Sequence, residues 1–108
     1  MFFPMFTETL ATEWREIIMS KKYKVNDSIE INDLKDELVI IIPQTEKMFY
    51  FNKLARDILY FLRDGLNVEQ IIDSMLVKYD VNQETLKLDI GEVLDQLVDF
   101  QIITLEEN

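Results

Sequence analysis

The chain has 108 residues, 48% of them hydrophobic and 30% charged, with a formal net charge of −10. That size and composition fit one globular domain with a short appendage, able to bury a core without disulfides or metals. It contains neither cysteine nor histidine, which removes the thiolate nucleophile, the zinc-thiolate site and the usual general base.

Residues 1–20 read as an N-terminal extension. Phe2, Phe3, Met5 and Phe6 surround Pro4, and then Leu10, Trp14, Ile17 and Ile18 recur at helical spacing. The spacing predicts a short amphipathic helix over about 8–19. It has three available roles: packing on its own domain, a dimer or partner contact, or adsorption to a membrane surface. The acidic residues Glu8, Glu13 and Glu16 disfavour the last, since that mode prefers Lys and Arg. No basic n-region or cleavage site marks a signal peptide, and no apolar run nears the roughly 18–20 residues of a membrane span. A cytoplasmic protein without membrane partners is expected.

The main domain is expected over 21–108. Residues 20–26 are polar, with Lys21, Lys22 and Lys24, and read as a linker; Tyr23 and Val25 are candidates to extend the next strand backwards. Residues 28–32 alternate as a half-buried strand does. Leu38, Val39, Ile40, Ile41 and Ile42, stopped by Pro43, are too short and too β-branched for a helix and make the central strand. Residues 48–51 (Met48, Phe49, Tyr50, Phe51) form a third strand, which Asn52 converts into a helix as its N-cap. The expected result is a three-stranded antiparallel meander. Its second and third strands do not alternate apolar with polar, so both sheet faces want cover. The helices supply one cover; the N-terminal aromatics, favoured here, or a second copy of the chain supply the other.

Three helices follow. The first, about 53–63, carries Leu54, Ala55, Ile58, Leu59 and Leu62 on one face and ends at Asp64-Gly65, a C-cap signal. Asn67 and Gln70 open the second as a capping box, with Val68, Ile71, Ile72, Met75, Leu76 and Tyr79 on its apolar face. The third, about 84–100, carries Leu86, Ile90, Val93, Leu94, Leu97 and Val98; Gly91 inside it costs about 1 kcal/mol against alanine and suggests a close approach there. Residues 102–105 are extended again. The class is α+β, a three-stranded antiparallel sheet followed by three helices.

Little catalytic chemistry fits. Asp89, Glu92, Asp95 and Asp99 could hold a cation, but such a row opposite an apolar face is ordinarily a solvated surface, and no metal or other cofactor is expected. Ser28 and Ser74 have no histidine partner, and the two glycines, Gly65 and Gly91, make no phosphate loop. The last two helices have the outline of a helix-turn-helix, yet Asn82, Gln83, Glu84 and Thr85 open the second of them with only Lys87 nearby, where a DNA reader places Lys or Arg. Together with the net charge this argues against nucleic acid as a partner.

The run from Glu37 to Gln44, then Phe49-Tyr50-Phe51-Asn52, Ala55, Ile58-Leu59, Asp64-Gly65, residues 68–72, Tyr79, residues 90–97 and Ile102-Ile103 resemble the PqqD-like family, recognition domains for ribosomally made, post-translationally modified peptides. The resemblance spans about 23–105; the N-terminal extension falls outside it, and Leu66-Asn67 replace the more polar turn common there. It implies a winged-helix-like, non-catalytic domain. It further implies that the leader of a precursor peptide adds as an antiparallel strand to the third strand and lies against the third helix. The partner would then be a modifying enzyme, such as a radical S-adenosylmethionine enzyme, or a leader peptidase or cyclase.

In a meander the third strand is an edge with unpaired N–H and C=O groups, which strand addition uses. The site residues expected on this reading are Met48, Tyr50, Leu86, Ile90, Val93 and Leu97 in a groove between strand three and helix three, with Phe49 and Phe51 in the core; a one-residue register shift exchanges the strand roles. Leu86, Ile90, Val93 and Leu97 sit equally well in the core. Lys47, Lys53 and Lys87 flank the groove, either to attract an acidic leader or simply as solvated lysines, and Leu88 is a candidate rim contact. The alternatives are a winged-helix protein–protein interaction module, as a monomer or as a homodimer through its N-terminal segment, or a dimeric DNA-binding regulator.

Overall fold

A strand that runs into a helix with no intervening loop fixes the architecture. In the computed structural model, which describes residues 20–106, the chain order is β1 (Lys22–Val25), β2 (Glu30–Asp33), β3 (Glu37–Ile42), β4 (Lys47–Asn52), α1 (Lys53–Arg63), α2 (Val68–Lys78), α3 (Gln83–Asp99) and β5 (Ile103–Glu106). The helix expected over 8–19 lies outside the described residues. Strands β2, β3 and β4 form the expected antiparallel meander, with β3 in the centre. Three helices follow it, as expected.

The linker expected over 20–26 is instead a strand. Residues of β1 pair antiparallel with β5, Tyr23 opposite Leu105 and Val25 opposite Ile103, as a separate two-stranded sheet. Tyr23 and Val25 therefore do not prolong β2. The pairing was hidden because each strand is short and its partner lies at the far end of the chain. A local turn makes it possible: α3 ends at Phe100, and Gln101 takes φ 62°. Gln101 N–H then donates to Val98 and Ile102 N–H to Leu97, the paired bonds of a Schellman cap. That turn drives Ile102 and Ile103 into the core, both fully buried.

The same cap closes α1 with the residue that suits it. Gly65 has φ 91°, its N–H donates to Leu62, and Leu66 N–H donates to Phe61. At the helix starts, Asn52 accepts from Ala55 N–H, and Asn67 and Gln70 form the reciprocal capping box expected from sequence. Each such cap is worth about 1 kcal/mol.

Register decides which strand residues meet the helices. Leu38 pairs with Phe51 and Ile40 with Phe49, while Val39 pairs with Tyr50 and Ile41 with Met48. Directly opposed residues share a face. Leu38, Ile40, Ile42 and Phe51 join Ile58, Leu59, Leu62, Ile71, Met75, Leu86, Ile90 and Leu97 in the core, so the first set faces the helices. Val39, Ile41, Met48 and Tyr50 point the other way.

Gly91 has no close neighbour: a Cβ built there meets nothing within 4 Å. The close approach suggested by its position in α3 is absent among the described residues, and only the helix-propensity cost remains. Gly91→Ala should raise stability by about 1 kcal/mol, and Gln101→Gly by about as much by relieving a left-handed non-glycine residue. Chemical denaturation of the two variants checks both; a loss of stability in either would contradict the local geometry described here.

Candidate functional site

Among the described residues β4 pairs with β3 on one side and with nothing on the other. Its last residue caps α1, so the strand's free edge and the helical layer are held by one peptide. On the helix side of this edge, Phe49 stacks on Phe100 with ring centroids 4.2 Å apart and planes 15° from parallel. Phe51 lies tilted against the same ring at 6.3 Å. Phe49 and Phe100 thus meet at the angle between β4 and the end of α3, beside a backbone edge unpaired among the described residues. Val93 lies two turns back along the helix from Phe100, and both are half-buried on the core's margin.

The expected site residues divide among three places. Leu86, Ile90 and Leu97 are 2%, 1% and 1% exposed and belong to the core. They support the α3 wall from beneath without surface of their own. Val93 is half-buried at the core's margin. Met48 and Tyr50 are 50% and 71% exposed but stand on the opposite sheet face, joined by a hydrogen bond from the Tyr50 hydroxyl to Met48 Sδ at 3.2 Å. The structure therefore does not put them in one groove with α3.

Lys47 and Lys53 are exposed near the two ends of β4. Lys87 is about 120° round the helix from Val93 at 100° per residue, away from β4. The half-buried Asp89 is only about 40° from Val93 on the same count, so the α3 wall carries negative charge. Leu88 is exposed on a third side of the helix. Sequence reasoning passed over Phe49 and Phe100 as contact residues. The signals were strand alternation, which puts Phe49 on the face of Phe51, and the stripe Leu86, Val93, Phe100 at seven-residue spacing.

One other cluster of ionisable groups has the look of a reactive centre. The Asp57 side chain is 3% exposed. It accepts from Tyr79 Oη at 2.7 Å and Arg56 Nη1 at 3.0 Å, and pairs with Lys78 Nζ at 2.9 Å. Arg56 also grips Asp33 of β2 through Nε and Nη2 at 2.8 and 2.7 Å, and Tyr60 Oη donates to the same carboxylate at 2.8 Å. Burial alone would raise the Asp57 carboxyl; Lys78, Tyr79 and Arg56 outweigh it and hold the group below the usual carboxylate value. The Arg56 hydrogen bonds, with those from Lys35 N–H and Tyr60, drive Asp33 far lower. Burial, then the bond to Asp57, pushes the Tyr79 phenol up to about 12. A general base near neutrality is the reverse of this. The cluster ties β2 to α1 and α1 to the end of α2. Among the described residues no group of acidic side chains is placed to hold a metal ion, the Asp89–Asp99 row included, and no helix is long and apolar enough to cross a membrane.

The sequence model of the family described as coenzyme PQQ synthesis protein D (PqqD) matches residues 37–103, from the first residue of β3 to the first of β5. The chain belongs to the PqqD family. Two solved structures share the fold of this PqqD-family chain. One, TbiB1 in complex with the TbiA(beta) leader peptide, is 24% identical with a TM-score of 0.70, over 79% of this chain and 99% of that one. The other, a lasso peptide synthetase B1 complexed with the leader peptide, is 16% identical with a TM-score of 0.69, over 77% of this chain and 98% of that one. No curated protein sequence matches significantly.

The ionisable cluster makes a signed prediction. Both aspartates are lower in the folded than in the unfolded chain, so the unfolded state binds more protons below about pH 4. Their contribution is complete above that pH and is lost as the pH falls through the folded values. Tyr79 is raised, so its contribution is complete below about pH 10 and is lost as the pH rises toward 12. Asp57→Ala should cost about 1–3 kcal/mol at neutral pH, because it removes the partner of the Tyr79 hydroxyl and of Lys78 while Arg56 keeps Asp33, and should flatten the acid limb. Urea unfolding between pH 2 and pH 11 measures it; an Asp57→Ala protein with unchanged stability and acid limb would show the cluster to be idle.

Proposed function

We propose that this chain is a non-catalytic, cytoplasmic peptide-binding protein. In this reading it captures the leader of a ribosomally made precursor by strand addition to the free edge of β4. It then presents the rest of the precursor to a modifying enzyme, such as a radical S-adenosylmethionine enzyme or a leader peptidase or cyclase. The observation that carries the reading is the edge of β4, unpaired among the described residues, beside the Phe49–Phe100 stack at the end of α3. Membership of the PqqD family supports it, as does the fold shared with two proteins whose structures contain leader peptides.

The energetics say where the affinity resides. Ordering the leader costs about 1–2 kcal/mol per residue, and each new backbone hydrogen bond returns only about 0.5–1.5 kcal/mol net. Two or three buried apolar anchors, each worth about 1.5–3 kcal/mol, must close the difference. An added strand alternates its side chains between faces. One set meets Phe49, Val93 and Phe100, over the floor made by Leu86, Ile90 and Leu97. The other set lies beside Met48 and Tyr50. Lys47 and Lys53 are the flanking cations of this site; Lys87 stands apart from it.

Val93→Asp is the informative variant, since Val93 touches the core only at its margin, whereas aspartate at the fully buried Ile90 would unfold the domain. Replacing one anchor with a charge should weaken binding about ten- to hundredfold. A leader-binding domain should have a short precursor peptide encoded in a neighbouring reading frame; the probe is the fluorescently labelled leader of such a precursor, titrated by anisotropy. Absence of binding to the natural chain removes the reading; unchanged affinity in folded Val93→Asp moves the leader away from α3.

A further inference from the structure

The chain has five methionines and no cysteine, so its sulfur chemistry is thioether chemistry. Two of the five, Met48 and Met75, lie among the described residues, in opposite settings. Met75 is 0% exposed in the core, whereas Met48 is 50% exposed. Met48 stands on the outward face of β4, opposite Ile41 of β3, on the strand whose other side is unpaired among the described residues. The Tyr50 hydroxyl donates to Met48 Sδ at 3.2 Å. That bond holds the thioether on the outward face and occupies one of its two lone pairs; the other accepts from no group among the described residues.

We propose that Met48 is a site of reversible oxidation by peroxide, and that its oxidation weakens the hold of the β4 edge on a guest strand. The second part rests on the leader-binding reading above. In the forward step a sulfur lone pair forms an S–O bond, the peroxide O–O bond breaks and water leaves; sulfur loses two electrons and the peroxide gains them. Two thiols reverse it, becoming a disulfide as the oxygen departs as water. Met75 is closed to a water-borne oxidant by the core around it. The sulfoxide is polar where the thioether was apolar, and its oxygen is a strong acceptor placed beside Ile41. An added strand alternates its side chains between faces, and the outward set lies beside Met48 and Tyr50. An apolar guest side chain there loses the thioether contact and strips water from the sulfoxide oxygen. The inward set, at the Phe49–Phe100 stack, is untouched. Oxidation therefore weakens binding without abolishing it, by about three- to tenfold in Kd.

The test treats the full chain with hydrogen peroxide and reads the product by tryptic mass mapping. Cleavage after Lys47 and Lys53 isolates Met48, and cleavage after Arg63 and Lys78 places Met75 in a separate peptide. The Met48 peptide should gain one oxygen while the Met75 peptide stays reduced. The labelled leader, titrated against treated and untreated chain, should show the rise in Kd of about three- to tenfold. Methionine sulfoxide reductases of both epimer specificities, with a thiol reductant, should restore the original value. Met48→Leu, whatever its own affinity, should show no response to peroxide. Three results would overturn the proposal: Met75 oxidised as readily as Met48, equal affinity before and after Met48 is oxidised, or a peroxide response that persists in Met48→Leu. No binding by the untreated chain overturns the leader-binding reading and the proposed consequence together, while the peptide masses still decide the oxidation site on their own.

Discussion

Asn52 is at once the last residue of β4 and the N-cap of α1, and the remaining architecture follows from that economy. With no loop between them, the strand cannot rotate relative to the helix. The alternation of β4 then leaves one choice: Phe49 and Phe51 face the helices, Met48 and Tyr50 face away. Because α1 packs on β3 and β4 and also on α2 and α3, the same junction sets how far α3 stands from the free edge. The contact that records the distance is the Phe49–Phe100 stack. Arg56, one turn into α1, reinforces the junction by holding Asp33 of β2 and Asp57 together.

Much of this was readable before any coordinates. The boundaries of α1, the capping box of α2 and the extent of β3 are local matters. Asn52, the Asn67/Gln70 pair and Pro43 each act within a few residues of themselves, so the sequence carries their effect directly. The β1–β5 sheet is the opposite case. Nothing in the polar run around Lys22 announces a partner more than half the chain away, and the turn that delivers β5 uses Gln101 in a conformation that sequence reasoning assigns to glycine. Gly91 misled in the other direction: a glycine inside a helix invites a packing explanation, and among the described residues the space around it is open.

The candidate site was legible in outline and displaced in detail. Its location, a strand edge against the third helix, follows from topology, and topology follows from the order of elements. The side chains do not follow as easily. Met48 and Tyr50 were drawn to the groove because a strand with four apolar residues gives no contrast between its faces; only the pairing of Ile40 with Phe49 and Val39 with Tyr50 separates them. The α3 residues share a second difficulty. A helix lying between core and groove has a continuous apolar stripe, and the core takes its centre. What remains for a guest is the margin, and the margin is marked by half-burial, which periodicity does not report.

The two faces of β4 impose different duties on whatever lies beside it. On the helix side an added strand, on the proposed reading, would meet an angle backed by buried aliphatics, where displaced water would yield the larger share of free energy. That side also carries Asp89 near Val93, so a side chain bearing negative charge is penalised there in a setting drier than the open surface. On the outward side the neighbours are Met48 and Tyr50, exposed and joined to each other, which offer contact without enclosure. A bound strand would therefore be read unequally, with every second residue held by shape and the others only grazed. That asymmetry is a property of an edge strand covered on one face by helices.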